Sequence, residues 1–223
     1  MGKISQISNN MPHTSAKKKI SRNTISRLSL YLRELTRLEQ EGKKAISSSE
    51  LADLTDLTDT QVRKDLSSFG QFGISGTGYE VSRLKETVRN ILGKDKPLDV
   101  ILIGAGNLGM ALLSYPAFRE QGFVIKAAFD IDTRKIGNKT SEIEIQDIEK
   151  IQDFLKKEKV KIAILAVPAF SAQKITDMLV NCGIKCILNF APIILKVPEE
   201  ALVSNVDLSK ELEALSYFLK TTE

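Results

Sequence analysis

The chemistry written most plainly in this chain lies in the run Gly104-Ala105-Gly106-Asn107-Leu108-Gly109, directly after the apolar stretch Val100-Ile101-Leu102-Ile103. Glycines at this spacing suit a strand that turns into a helix over a phosphate group. The first allows the tight turn, the second lets the backbone approach a pyrophosphate, and the third lets helix and strand pack closely. The helix start adds amide donors and the positive end of its dipole. Asp130 follows about 20 residues later, where a carboxylate accepts hydrogen bonds from adenosine ribose hydroxyls and repels a 2′-phosphate. The expected ligand is therefore NAD(H). A glycine-rich turn without a ligand, or another nucleotide, is the alternative. Arg134 and Lys135, just beyond Asp130, either soften that preference or are surface charges.

Groups for catalysis are scarce. Hydride transfer to a carbonyl needs a positioned acid or base, and the single histidine, His13, stands near the start of the chain. Tyr115 and Tyr217 remain, with lysines that form no motif. Cys182 and Cys186, with no further Cys, cannot complete a four-ligand zinc site; they read as reduced thiols near a strand, with a redox pair as the alternative. No catalytic residue and no metal are expected, and cofactor binding without catalysis fits better than a small dehydrogenase carrying an interaction domain. A CoA- or nucleotide-binding subunit is the third reading.

The elements around the glycine run follow an α/β rhythm. Strands are expected at 98–103, 123–129, 160–167 and 185–190, with helices near 108–120, 147–158 and 171–182 between them, the βαβ pattern of an open, doubly wound parallel Rossmann sheet. A last amphipathic helix, 208–220, carries Leu208, Leu212, Leu215 and Leu219 and comes after the sheet is complete, so it is free to pack on another subunit.

The first part of the chain reads differently. Ile25, Leu28, Leu32, Leu35 and Leu38 form a helical stripe that stops at Gly42. Ser47-x-x-Glu50 is a capping box ahead of a helix burying Leu51 and Leu54, and Thr58-x-x-Gln61 repeats the device for a third helix that buries Val62 and Leu66. Helix, turn, helix results, with Thr60, Gln61, Arg63 and Lys64 on the exposed side, where Arg and Gln can pair with base edges and Lys with phosphate. Four glycines (Gly70, Gly73, Gly76, Gly78) with aromatics between them predict a β-hairpin wing. A fourth helix with Leu84, Val88, Ile91 and Leu92 ends at Gly93, and Asp95-Lys96-Pro97 is a short linker.

Charge agrees with this division. Residues 1–92 hold fifteen Lys and Arg against ten Asp and Glu, and residues 93–223 seventeen against eighteen, so the excess behind the overall +4 lies in the first part. A basic module beside a neutral one points to a polyanion as partner of the first. Lys17, Lys18, Lys19, Arg22 and Arg27 are candidates for phosphate contacts. No stretch approaches the roughly 20 apolar residues that span a bilayer, and the polar start lacks a secretory core, so a cytoplasmic protein without membrane contact is expected. The domains read as a flexible basic tail, 1–18; a winged helix-turn-helix, 19–93; a Rossmann NAD(H)-binding domain, 97–206; and a C-terminal helix, 207–223.

The residues Ile25-Ser-Arg-Leu28, Tyr31-Leu-Arg33, Gln61-Val-Arg-Lys-Asp-Leu-Ser67, Phe69-Gly70, Gly76-x-Gly-Tyr79, the glycine run, Tyr115-Pro116, Phe129-Asp-x-Asp132, Asn189-Phe-Ala-Pro192 and Asn205-Val-Asp-Leu208 together resemble the Rex family of redox-sensing repressors, from about Lys19 to Leu219. The resemblance implies a homodimer whose C-terminal helices swap between subunits, an inverted-repeat double-stranded DNA operator, and release of DNA when NADH binds, with NAD⁺ competing. It implies a DNA-binding set of Thr60, Gln61, Arg63, Lys64, Ser67, Gly76 and Tyr79. It implies a cofactor set of Gly104, Ala105, Gly106, Asn107, Leu108, Gly109, Asp130, Tyr115, Val167, Pro168 and Phe190, the last near the nicotinamide. It also implies an allosteric relay in which Asp207 switches between Arg33 and Tyr115. Two positions depart from the family's pattern: Ser68 stands where Tyr is usual and Ser75 where many relatives carry Arg or Lys, which weakens the expected wing contact. The basic segment before residue 20 is expected to compensate.

Overall fold

The structure, a computed structural model, describes residues 20–73 and 78–222. The tail 1–18, His13, Lys17–Lys19, Ser75 and Gly76 lie outside the described residues. Two compact units divide between Asp95 and Lys96.

In the first unit, Ser21 caps helix α1 (Arg22–Gln40) by accepting the Thr24 amide at 3.1 Å, and Gly42 closes it at φ +78°. Strand β1 (Ala45–Ile46), helix α2 (Ser48–Thr55), helix α3 (Asp59–Ser67), strand β2 (Tyr79–Glu80) and helix α4 (Val81–Ile91) follow. Leu28, Tyr31, Leu35, Leu51, Val62, Leu66, Leu84 and Val88 form one core. Ile25 and Leu54, both expected inside, are exposed; on the short α2 the inward arc is taken by Leu51 and Ala52.

The Ser47 capping box is complete in both directions. At α3 only half of the second box forms. Thr58 accepts the Gln61 amide at 3.2 Å, but the Gln61 side chain points forward to Asp65. The centre of the expected wing, 74–77, lies outside the described residues. Strand β2 pairs antiparallel with β1, Ile46 opposite Tyr79. Gly78, at φ +82°, permits this, because a Cβ there would lie 2.5 Å from the Ile46 carbonyl.

The second unit is built on β3 (Leu98–Ile103), α5 (Asn107–Leu113), α6 (Pro116–Glu120), β4 (Phe123–Asp130), β5 (Lys139–Thr140), β6 (Ile143–Asp147), α7 (Ile151–Lys157), β7 (Ile162–Leu165), α8 (Ala169–Asn181), β8 (Cys186–Asn189), β9 (Leu202–Asn205) and α9 (Leu208–Thr222). The sheet order is β5-β6-β4-β3-β7-β8-β9, parallel except for β5. Alternate residues serve two cores. Ile101, Ile103, Phe129 and Leu165 pack on one face, and Val100, Leu102, Ala128 and Ile164 on the other, as strands covered on both sides require.

After β3 the chain moves outward to β4, and after β7 it moves the other way to β8. The order therefore reverses between β3 and β7, and a crevice opens beyond their carboxyl ends. The helix expected over 108–120 is broken in two at Tyr115-Pro116, since the residue before proline is pushed out of helical geometry. Helix α9 leaves its apolar residues uncovered, with Leu208, Leu212, Leu215 and Leu219 at 60–71 % exposure.

Candidate nucleotide cleft and nucleic-acid interface

Each glycine of the run has its own geometric reason. Gly104 sits at φ +95°, and a Cβ there would lie 2.3 Å from the Ala166 carbonyl; one on Gly109 would lie 1.9 Å from the Gly104 carbonyl. Turn and packing therefore exclude side chains at both. Gly106 is different. It caps α5 with extended backbone, and a Cβ there would meet no atom within 4 Å. The space it leaves free lies at the start of α5, where the first-turn amides of Asn107, Leu108 and Gly109 have no partner within the helix.

That space belongs to a cleft of about 280 Å³ lined by Gly104, Gly106, Asp130, Lys135, Val167 and Pro168 among others. Asp130 ends β4 with both oxygens engaged: Oδ2 accepts the Ala105 amide at 2.7 Å and Lys135 Nζ at 3.1 Å, and Oδ1 accepts the Asp132 amide at 2.8 Å. Burial pushes its carboxyl up, but these bonds outweigh burial and hold it below the usual carboxylate range. The carboxylate thus positions the glycine loop as well as facing the cleft. Arg134 grips Asp132 with two nitrogens, at 2.9 and 2.8 Å, and this holds the Asp132 carboxyl down at about 2. Arg134 and Lys135, which the sequence leaves as possible surface charges, are each paired with an acid.

The sequence gives no signal for the apolar rim. Phe170, in the first turn of α8 and 89 % exposed, and Ile131, 70 % exposed, both border the cleft. Exposed apolar side chains at the mouth of a crevice suit the flat face of a base. The residues present thus fit a dinucleotide, with a cradle free of side chains, a carboxylate at the end of the second strand and an apolar rim.

Tyr115 and Phe190 do not line this cleft. Tyr115, half-exposed, stacks edge-on against Phe118 with ring centroids 5.2 Å apart and lines a second cleft with Phe123, Ile125, Ser141 and Glu142. Phe190, half-buried, packs into the sheet core beside Leu188. It follows Asn189, which is fully buried and donates to the carbonyls of Ala191 and Ile193 and to Asn205 Oδ1. This clamp fixes the segment leading to Asp207. Asp207 caps α9, accepting the amides of Ser209 and Lys210 at 3.0 and 3.2 Å. Arg33 is exposed on α1.

In the first unit Thr60, Arg63, Lys64 and Ser67 share the exposed side of α3, while Val62 and Leu66 are buried. Arg63 is tethered, to Asp59 at 2.7 Å and to Ser48 Oγ at 2.9 Å. Its charge reaches Tyr79, whose phenol is raised by burial and lowered slightly by Arg63. Ser68 is exposed and returns its hydroxyl to the Lys64 carbonyl.

Gln61 differs from its expected role, because it is half-buried and donates to Asp65 Oδ1 at 2.8 Å. Asp65, an acid 2 % exposed inside the helix-turn-helix, is the residue that local patterns miss. It accepts two bonds from Arg27, at 2.6 and 2.8 Å, and one from Tyr31 at 2.9 Å. Arg27, expected to contact phosphate, is instead the half-buried partner that ties α1 to α3. Burial raises the Asp65 carboxyl, and the bonds from Arg27, Tyr31 and Gln61 more than reverse this, leaving it lowered. Burial and the Asp65 contact push the Tyr31 phenol well up. No group of three or more His, Cys, Asp or Glu among the described residues could hold a metal ion, and no described helix is long and apolar enough to cross a membrane.

Known proteins repeat this architecture. Residues 95–193 match the family described as CoA binding domain, and residues 19–67 the family described as putative DNA-binding protein N-terminus. The redox-sensing transcriptional repressor Rex of Pelotomaculum thermopropionicum is 44% identical over 92% of this chain and 96% of its own length. That of Carboxydothermus hydrogenoformans is 45% identical over 91% and 97%. Among solved structures, RSP in complex with β-NAD⁺ and operator DNA superposes with a TM-score of 0.88 at 43% identity, covering 92% of this chain and 94% of that one. RSP in complex with β-NADH gives 0.82 at 41%, covering 92% and 96%. With a helix-turn-helix, a glycine-cradled cleft at the sheet's switch point and relatives alike over nearly their whole length, this chain belongs to the Rex family of redox-sensing transcriptional repressors.

Proposed function

We propose that the chain is a homodimeric, cytoplasmic repressor that holds an inverted-repeat operator through α3 and leaves it when NADH occupies the cleft, with NAD⁺ competing for the same place. The observation that carries this reading is Gly106, whose open space belongs to the cleft beside Asp130, in the same chain as a helix-turn-helix that exposes Arg63 and Lys64. The relatives named as repressors, and one solved with NAD⁺ and operator DNA, support it.

Gly104, Gly106 and the first-turn amides of α5 would hold the pyrophosphate, Asp130 the adenosine ribose, Ile131 and Phe170 the adenine, and Val167 and Pro168 the β7 side of the cleft. Phe190 is assigned to the nicotinamide end. When bound, the dinucleotide supplies a ring that is uncharged when reduced and cationic when oxidised. An apolar surrounding tolerates the first better. The chain is read as binding the cofactor without turning it over, in keeping with relatives that are named as repressors. On α3, Arg63, Lys64, Thr60 and Ser67 meet the operator.

A ligand moves an equilibrium only by its differential affinity for the two states. NADH must therefore favour the dimer whose reading helices do not match the operator spacing. The exposed leucines of α9 are assigned to the other subunit, swapped between protomers, and Asp207 at the start of that helix alternates between Arg33 and Tyr115. Asp207→Asn keeps a good capping residue and removes the charge. We expect it to bind NADH normally in calorimetry yet stay on the operator in a mobility-shift titration; wild-type release would discard the relay. The reading as a whole is tested by titrating NADH and NAD⁺ into a complex with an inverted-repeat duplex. NADH should dissociate it and NAD⁺ should oppose NADH, whereas steady turnover of a hydroxy substrate would overturn it.

A further inference from the structure

We propose that Asp59 and Ser48 are positioning residues that set how strictly Arg63 reads a base; this rests on the reading of α3 as the helix that meets the operator. Arg63 Nε donates to Ser48 Oγ at 2.9 Å, and Nη2 donates to Asp59 Oδ2 at 2.7 Å. These two nitrogens form one edge of the guanidinium, so that edge is held by acceptors from two helices. What remains is the Nη1–Nη2 edge, a fork that can bridge guanine O6 and N7. The Arg63 side chain is still 64% exposed. Its charge is open to a partner while its orientation is fixed from behind.

The two anchors differ in kind. Ser48, in the first turn of α2, is 8% exposed, so its hydroxyl is a fixed point on a neighbouring helix. Asp59 opens α3, and its second oxygen accepts the Thr60 hydroxyl at 3.2 Å. One carboxylate therefore joins two residues assigned to the operator. An exposed pair four residues apart on a helix adds little to stability. Its effect here is on binding, because a long side chain already held in one geometry loses less freedom when it docks. The same carboxylate places a negative charge on a helix that faces a polyanion, which weakens the attraction to phosphates of any sequence. Asp59 thus lowers the affinity for random duplex and raises the penalty for a wrong base.

The test uses the full chain, a duplex that it selects from a random pool, and a panel of that duplex with each base pair replaced in turn, read by fluorescence anisotropy. The base read by Arg63 is the position at which Arg63→Ala loses its preference. At that position Asp59→Ala should lower the preference for guanine by about tenfold, part of the weight of one bidentate contact, while binding random duplex several-fold more tightly. Asp59→Asn, which keeps an acceptor without the charge, should show the same gain on random duplex and retain most of the preference. Ser48→Ala, which changes no charge, should lower the preference alone. Melting temperature reports that each variant is folded. A preference unchanged in Asp59→Ala or Ser48→Ala overturns the proposal, and so does a loss spread evenly over all positions, which would mark a merely structural role. A wild type that selects no duplex overturns the reading of α3 itself.

Discussion

Replacing Asp65 by Asn should cost the DNA-binding unit about 3 kcal/mol, the lower end of what breaking one side of a buried ion pair costs. Arg27 keeps 21% of its side chain in water, which moderates the loss, whereas Asp65 keeps 3%. The carboxylate accepts four hydrogen bonds, from Arg27 twice, Tyr31 and Gln61. An amide of the same shape has one acceptor oxygen fewer and turns its own donors toward the guanidinium. Set against the roughly 5–15 kcal/mol that holds a domain folded, the effect should appear as a lower urea midpoint and as loss of operator binding, because α3 is no longer fixed to α1. The double replacement Arg27→Met with Asp65→Leu should recover part of the stability, since no unpaired charge is left inside.

The pH dependence has a definite sign. The Asp65 carboxyl is lowered in the folded state, so its contribution is complete above about pH 4, the unfolded value, and is lost as pH falls through the folded value. The Asn variant should lack that acid limb. The Tyr31 phenol is raised, so its contribution is complete below about pH 10 and is lost only as pH rises through the higher folded value. An Asn variant with wild-type stability and an unchanged acid limb would show that the cluster contributes nothing.

Asp65 also marks the limit of reading the chain without its fold. Helices α1 to α4 and the glycine turn are legible because their signals are local: apolar residues three and four apart, a Ser-x-x-Glu box, glycines just after a strand. Asp65 stands in the run Arg63-Lys64-Asp65, which looks like a solvated face, and the partners that bury it are 38 and 34 positions earlier. The half-formed box at Thr58 has the same origin, for Gln61 has a better acceptor in Asp65 than in its own helix start. The break at Pro116 was present in the text, and helical periodicity on both sides concealed it. Strand β6 carries only Ile143 and Ile145 in alternation, and β9 lies at the sheet's edge with most of its residues exposed. In the site, spacing marks Gly106 and Asp130, while the ion pairs of Lys135 and Arg134 depend on how the turn after β4 folds back.

Gly106→Val should abolish the response to NADH while leaving the repressor on its operator. The backbone at Gly106 is extended, φ −77° and ψ −169°, a region valine enters readily, and a Cβ meets nothing within 4 Å. The fold therefore loses only the difference between glycine and valine at a helix cap, about 1 kcal/mol or less. The ligand loses far more. The branched side chain fills the space at the start of α5, so a pyrophosphate forfeits several charge-assisted bonds of about 1.5–3 kcal/mol each, which is at least 100-fold in affinity. Gly109→Ala provides the contrast. Its Cβ would lie 1.9 Å from the Gly104 carbonyl, so the turn itself must move and melting temperature falls together with binding. Calorimetry should then find no NADH binding to Gly106→Val at a melting temperature within a few degrees of wild type, and a mobility shift should find it bound to operator at every NADH concentration. Were NADH to release Gly106→Val as it releases the wild type, the open space at this glycine would not be where the signal enters, and the coupling would have to begin at another surface of the chain.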